Sequence, residues 1–95
     1  MVNDEPAVSQ KTVIRNERGL HARASAKFCA EAAAWNAVVR VEKDGLSVGG
    51  CSIMGLLTLA AATGATVTVS ASGPEAREAV AALVSLIENK FGEDA

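Results

Sequence analysis

The single histidine of the chain, His21, stands two residues before an arginine at the start of an alanine-rich stretch. A helix that begins there leaves unpaired backbone amides and the positive end of its dipole beside the imidazole. Such a terminus binds anions readily, and the guanidinium of Arg23 has donors that match phosphate oxygens. The positive surroundings also favour a neutral ring, whose free nitrogen can act as a nucleophile.

Other interpretations of His21 stay open on the residues alone. A solitary histidine is most often a surface or capping residue. One histidine with scattered carboxylates does not make a closed metal site, so we expect no metal. The chain also lacks an obvious nucleophile-and-base pair of the kind that hydrolases use. The neighbours of His21 favour phosphate chemistry without deciding it.

A second position of interest is Ser52, which precedes a run of apolar residues. A serine there is placed to cap a short helix, which is worth about 1 kcal/mol. A phosphate on the same hydroxyl would gain from the helix terminus, so capping and modification are compatible. We expect Ile53 and Leu56 to pack inward. Met54 and Leu57 then lie nearer a docking surface, where methionine suits several partners.

The elements that position these residues alternate between strand and helix. Strands are predicted at residues 11–15, 37–42, 46–48 and 66–70, and helices at 21–35, 53–62 and 76–91. Asp44-Gly45 predicts a hairpin, Gly64 a helix stop, and residues 72–75 a capping box. The order β-α-β-β-α-β-α predicts an open-faced α/β sandwich with helices on one face of the sheet. A ferredoxin-like sheet is the alternative.

Length and composition indicate one globular domain, since 95 residues are 49% hydrophobic and 21% charged. We expect a flexible arm at residues 1–9, the domain at 10–91 and an acidic tail at 92–95. The net charge is −2 and basic residues are scattered, so nucleic acid is not an expected partner. No apolar stretch is long enough to span a membrane, and the N-terminus lacks a signal-peptide core, which predicts a cytoplasmic protein.

The two cysteines, Cys29 and Cys51, are widely separated and form no CxxC motif. Two such residues are too few for a metal site, and in a reducing compartment we expect free thiols. Cys29 lies in the alanine-rich stretch and is expected in the core, whereas Cys51 is expected to be exposed. Neither residue is assigned a role.

Two segments resemble signatures of the histidine-containing phosphocarrier proteins (HPr) of the bacterial phosphoenolpyruvate phosphotransferase system. Gly19-Leu20-His21-Ala22-Arg23 is similar to the phosphorylation-site signature, and Ser52-Ile53-Met54-Gly55-Leu56 is similar to the signature around the regulatory serine. The resemblance extends from about residue 11 to residue 91 and includes the turn before the last helix. Two motifs in the right order are far more specific than either alone.

The resemblance implies a four-stranded antiparallel sheet with three helices on one face. It also implies that His21 accepts a phosphoryl group from enzyme I, as pros-phosphohistidine, and passes it to an enzyme IIA. Arg23 would stabilise that group, and Ser52 would be a candidate phosphoserine for an HPr kinase/phosphorylase. Ala24, Met54 and Leu57 would contact partners. Such a protein is a monomeric stoichiometric carrier without a cofactor, not an enzyme.

One position departs from the family pattern, since Ala24 stands where the family usually has proline. Proline early in a helix pre-sets the backbone, so alanine gives up about 0.4–1 kcal/mol of preorganisation. The acidic end and Gly73-Pro74 are more similar to the nitrogen-related branch than to the sugar-transport branch. The alternative function is a regulatory domain that binds partners through the same surface without transfer. The presence of both His21 and Arg23 argues against it.

Overall fold

A computed structural model describes residues 7–95 and contains a four-stranded sheet. The strands are β1 (Val8–Val13), β2 (Val38–Lys43), β3 (Leu46–Gly49) and β4 (Thr66–Ser72). The helices are α1 (Ala22–Ala33), α2 (Ile53–Thr58) and α3 (Ala76–Glu88), followed by the 3₁₀ turn Lys90–Gly92. The sheet order is β1-β4-β2-β3 and all neighbours are antiparallel, which confirms the predicted sheet. Within the described residues, no helix has the length and apolar character needed to cross a membrane.

Alternation along the two inner strands divides the sheet into a buried and a more exposed face. The inward side chains include Val39 and Val41 of β2 and Val67 and Val69 of β4. In β4, threonine and serine residues alternate with the buried residues and are only partly buried or exposed. This period of two is what a strand with one covered face requires, so the valine pattern predicted both strands.

The core lies between this covered face and the helices. α3 contacts three strands of the sheet, and α1 packs against both α2 and α3. The largest fully buried side chains include Phe28 of α1, Leu56 of α2, Leu83 and Ile87 of α3, and Phe91 of the 3₁₀ turn. Each such side chain contributes about 1.5–3 kcal/mol when fully buried. Every helix therefore contributes at least one large apolar residue to the core.

The first strand begins earlier than predicted. Val8 and Ser9 already pair with β4, so the flexible arm predicted at residues 1–9 is wrong at these two positions. Residues 1–6 lie outside the described residues. β1 is an edge strand whose residues 9–11 are exposed and polar. Such a strand has little hydrophobic alternation, which is why the sequence pattern locates only its second half.

The second helix is shorter than predicted, because α2 ends at Thr58 and not at residue 62. Ala60 has a φ of 50°, in the left-handed region, which stops the helix well before Gly64. The predicted stop at Gly64 is therefore wrong. Beyond the helix, the buried Ala61 uses its carbonyl to accept a hydrogen bond from the amide of Leu20 at 2.9 Å. The segment expected to extend α2 instead supports the loop before His21.

The predicted capping box at residues 72–75 is also wrong. Ser72 is the last residue of β4, and Glu75, the N-cap of α3, makes no side-chain cap hydrogen bond. The Glu75 carboxylate accepts a hydrogen bond from the backbone amide of Asn36 at 2.7 Å. The backbone amide of Glu75 donates to the backbone carbonyl of Asn36 at 3.0 Å. Glu75 thus joins the start of α3 to the segment between α1 and β2.

Candidate functional site

His21 is the N-cap of α1, so it lies at the start of the helix, as the sequence predicts. Its Nδ1 atom accepts a hydrogen bond from the Arg23 amide at 3.2 Å. The His21 carbonyl accepts the first helical hydrogen bond, from the Ser25 amide at 2.8 Å. The side chain therefore caps the helix, and Nδ1 lies at the terminus where unpaired amides and the dipole favour anions.

The proton of the neutral imidazole is located by these contacts. Because Nδ1 accepts a hydrogen bond, it carries a lone pair, and the ring proton must reside on Nε2. Nε2 lies 2.5 Å from Oε2 of Glu93, which accepts that proton in a hydrogen bond. The second oxygen of Glu93, Oε1, accepts a hydrogen bond from Nδ2 of Asn16 at 3.1 Å. Asn16, Glu93 and His21 thus form a continuous hydrogen-bonded chain.

The loop before His21 is fixed by contacts on both sides. Asn16 is fully buried, and its Nδ2 also donates to the Gly19 carbonyl at 2.7 Å. Leu20 is buried as well and holds the loop to the segment after α2. Gly19 has a φ of 69°, and a Cβ there would lie 2.6 Å from the carbonyl oxygen of Ala61. Only glycine fits this position, so the loop geometry depends on it.

The acidic tail is not free, because the turn after α3 directs it onto the site. Lys90, Phe91 and Gly92 have φ values of 59°, 55° and 80°, so three successive residues are left-handed. Two of them are not glycine, and each such residue costs about 1–3 kcal/mol. Burial of Phe91 offsets this cost, and Nζ of Lys27 donates to the Phe91 carbonyl at 2.8 Å. The predicted tail at 92–95 therefore contributes Glu93 to the site.

Charges of both signs surround an open depression beside the tail. Its lining includes three cationic residues, Arg18, Arg23 and Lys27, together with Glu17 and the segment 92–95. The hydrogen bond from His21 is the main cause that lowers the pKa of Glu93 from its ordinary value. The hydrogen bond from Asn16 and the charge of Arg18 act in the same direction, against partial burial. Glu93 is consequently a carboxylate at neutral pH.

Ser52 is the N-cap of α2, which confirms that part of its prediction. Its Oγ accepts a hydrogen bond from the Gly55 amide at 3.0 Å, and the side chain is exposed. At the other end of the helix, the Thr58 hydroxyl donates to the Gly55 carbonyl at 2.5 Å. The hydroxyl of Ser52 is thus both a structural cap and accessible to solvent.

The apolar residues of α2 divide between core and surface. Leu56 is fully buried, whereas Met54 is 72% exposed and Leu57 is half-buried, as expected. Ile53 is 40% exposed, so the prediction that it packs inward is wrong. The helix has only six residues, and Leu56 and Leu59 occupy its core side. The result is an exposed apolar pair, Ile53 and Met54, at the helix start.

Ala24 is fully buried, which contradicts its prediction as a partner contact. It lies on the core side of α1, in the series that continues with Phe28 and Ala32. Residues spaced four apart share one helix face, and this face packs inward. The alanine side chain therefore has no surface to offer a partner.

The two cysteines are far apart in the sequence, but their side chains are neighbours in the fold. Cys29 is half-buried, not fully in the core, and Cys51 is exposed as predicted. Burial raises the pKa of the Cys29 thiol, and the neighbouring Cys51 thiol raises it further by its charge and a hydrogen bond. Both cysteines are free thiols.

Comparisons with known proteins agree with the site and the fold. Residues 8–89 match the family model described as "PTS HPr component phosphorylation site". The chain is 45% identical over 86 residues to the phosphocarrier protein HPr of Cupriavidus necator, which covers 90% of this chain and 97% of that protein. It is 41% identical over 83 residues to the HPr-like protein Crh of Bacillus subtilis, covering 87% and 98% respectively.

The sheet arrangement agrees with solved HPr structures. The crystal structure of HPr-C-His from Thermoanaerobacter tengcongensis has a TM-score of 0.89 at 42% identity, and the match covers 93% of this chain and 99% of that one. The fold is therefore the HPr-like open-faced sandwich and not the ferredoxin-like alternative. The family match over residues 8–89 includes the histidine at the helix start and the serine that caps α2. The chain belongs to the HPr family of phosphocarrier proteins of the phosphotransferase system.

Proposed function

We propose that Nδ1 of His21 accepts a phosphoryl group from phosphorylated enzyme I and passes it to an enzyme IIA. The observation that supports this role most strongly is the lone pair of Nδ1 at the N-terminus of α1. A nucleophile without a proton needs no general base before it attacks phosphorus. The same terminus offers backbone amides to the negatively charged phosphoryl oxygens.

The transfer requires one bond to form and one to break. Nδ1 gives up the hydrogen bond from the Arg23 backbone amide and donates its electron pair to phosphorus. The bond between phosphorus and the donor breaks, and its electrons stay with the donor. The ring keeps its Nε2 proton and becomes positively charged. Release to the acceptor reverses these changes, so the protein ends each cycle unaltered. We therefore propose a stoichiometric carrier that needs no cofactor.

Direct phosphorylation tests the proposal. The chain is incubated with phosphoenolpyruvate and an enzyme I, and the intact mass is measured before and after mild acid treatment. We expect the gain of one phosphoryl group that acid removes, since a bond between phosphorus and imidazole nitrogen is acid-labile. An unchanged mass, with an HPr of known activity labelled in parallel, contradicts the proposal.

The wider setting follows from the family and is also proposed. The carrier acts in the cytoplasm as a monomer, with enzyme I and an enzyme IIA as partners. An HPr kinase/phosphorylase is the proposed modifier of Ser52, whose exposed hydroxyl is accessible to it. Membership of the nitrogen-related branch stays a prediction.

Arg23 is proposed to stabilise the phosphoryl group during transfer, because it follows His21 in the first turn of α1 and is exposed at the depression. Loss of one charge-stabilising donor costs about 10²–10³ in rate at a water-excluded site. This site is open, so Arg23→Ala should slow transfer toward the low end of that range. Single-turnover mixing with phosphorylated enzyme I measures the rate. Arg77→Ala, on the exposed side of α3, is the matched control. Equal rates in all three proteins remove Arg23 from the mechanism.

Negative charge at Ser52 is proposed to weaken docking to enzyme I. Phosphate adds about −1.5 to −2 charges, which the helix terminus accommodates but an apolar contact beside Met54 does not. Ser52→Asp should therefore raise the apparent KM for phosphorylation severalfold without lowering the melting temperature. Ser52→Ala should leave the KM unchanged and lose about 1 kcal/mol of capping stability. If both variants give the same KM, Ser52 acts only as a cap.

A further inference from the structure

Glu93, which contacts His21, lies outside both signature segments and is not part of the function proposed for His21. The contact joins residues that are 72 positions apart in the chain. Both side chains are largely removed from solvent, with 23% of His21 and 17% of Glu93 exposed. A carboxylate this close to Nε2 affects the protonation and the orientation of the imidazole ring, which also carries the proposed nucleophile Nδ1.

The position of Glu93 is determined by contacts on both sides of it. On one side, the buried Asn16 binds Oε1 of Glu93 while the same amide group binds the loop at Gly19. On the other side, the buried Phe91 anchors the chain two residues before Glu93. The Glu93 amide also donates to the Lys90 carbonyl at 2.9 Å, which closes the turn. These contacts hold the Glu93 carboxylate next to the imidazole ring.

The hydrogen bond between Glu93 and His21 is suited to the charge that the ring acquires during phosphoryl transfer. When Nδ1 bonds to phosphorus and Nε2 keeps its proton, the imidazole gains a positive charge. A carboxylate hydrogen-bonded to that Nε2 proton stabilises the charge, and stabilisation of developing charge lowers the barrier to its formation. The same hydrogen bond fixes which nitrogen is protonated and how the ring is oriented. A buried amide that orients the carboxylate completes the chain of contacts.

From this geometry we infer that Glu93, oriented by Asn16, is a positioning residue for phosphoryl transfer: it keeps the proton on Nε2 and offsets the charge that the ring acquires. The charge-offsetting half of this inference rests on the proposed function of His21. The positioning half concerns the unphosphorylated protein and stands on the contacts alone. The lowered pKa of Glu93 agrees with both halves, since it keeps the group ionised.

The charge-offsetting half is tested by Glu93→Gln, which preserves the size and an acceptor oxygen but removes the charge. The control is Glu78→Gln, because Glu78 is an exposed carboxylate in the first turn of α3 and is not part of the depression. We expect the rate of single-turnover phosphorylation by enzyme I to fall about tenfold or more in Glu93→Gln. Glu78→Gln should match wild type. A Glu93→Gln protein that is phosphorylated as fast as wild type, or faster, overturns this half.

The positioning half is tested without any phosphoryl donor. Proton–nitrogen correlation spectra of the ring, recorded at a pH where His21 is neutral, should show a slowly exchanging proton on Nε2 in wild type and Glu78→Gln. Glu93→Ala removes the acceptor, so this signal should disappear into exchange with water. An unchanged signal in Glu93→Ala overturns the positioning half. If wild type accepts no phosphoryl group at all, the proposed function and the charge-offsetting half both fail, and the spectra still decide the positioning half.

Discussion

Phosphorylation by enzyme I is expected to be abolished in His21→Ala, while the fold survives. No other residue of the chain can supply an imidazole, because His21 is its only histidine. The substitution removes an N-cap, which typically costs about 0.5–2 kcal/mol, and leaves the core residues in place. That is well below the roughly 5–15 kcal/mol of a typical domain. Intact mass after incubation with phosphoenolpyruvate and enzyme I measures phosphorylation, and a denaturation curve measures stability.

The control for His21→Ala is Ser52→Ala, since both replace an N-cap side chain by methyl but only one removes the proposed acceptor. Ser52→Ala should gain one acid-labile phosphoryl group, as wild type does. Undiminished labelling of His21→Ala would place the acceptor elsewhere and would contradict the central proposal. An unfolded His21→Ala would show instead that the cap has a larger structural role than its two hydrogen bonds indicate.

Phe91→Ala is expected to lower the free energy of unfolding by about 3–5 kcal/mol, the usual cost of replacing a buried phenylalanine by alanine. Only 1% of the Phe91 side chain is exposed, and it packs in the cluster formed by the sheet and helices. The backbone at this position would still have to adopt its left-handed conformation, and the small alanine side chain would bury too little surface to offset that strain. Urea denaturation measures the change.

A matched truncation on the surface separates core burial from the general effect of losing an apolar side chain. Leu46 is 47% exposed in β3, so Leu46→Ala should change the free energy of unfolding by less than about 1 kcal/mol. A loss in Phe91→Ala that is no larger than in Leu46→Ala contradicts the burial of Phe91. The Phe91→Ala protein should also have a weaker hydrogen bond between Glu93 and His21, because the anchor of the tail is gone.

The elements that the sequence predicts correctly are those with a local signal. The period-two valines identify β2 and β4, the Asp44-Gly45 pair identifies the hairpin, and both residues do have positive φ. Ser52 is identified as an N-cap, and His21 as a residue at a helix start, because each stands at a boundary between a polar loop and a helix-forming run. The two signature segments then supply the family, which the comparison with known proteins confirms.

The errors arise where distant parts of the chain decide the local conformation. Ala60 adopts a left-handed conformation, and the following residue pairs with Leu20, a contact that no helix propensity reveals. Glu75 belongs to a capping pattern in the sequence, but its carboxylate accepts a hydrogen bond from the backbone amide of Asn36 instead. Glu93 follows a glycine in a short polar tail and shows no periodicity. Its hydrogen bonds are to Asn16 and His21, which lie at the opposite end of the chain.

The strand order has a consequence for how the chain acquires its structure. Within residues 7–95, β1 pairs only with β4, and Val13 and Thr66 are register partners although more than half of the chain separates them. β2 and β3 can form a local hairpin, but the loop that joins β1 to its partner must be closed over many residues, which slows folding. Both signature segments precede β4, so α2 and the loop that carries His21 are without a completed sheet until that strand has been synthesised. During translation, the histidine therefore leaves the ribosome well before the structure that positions it exists.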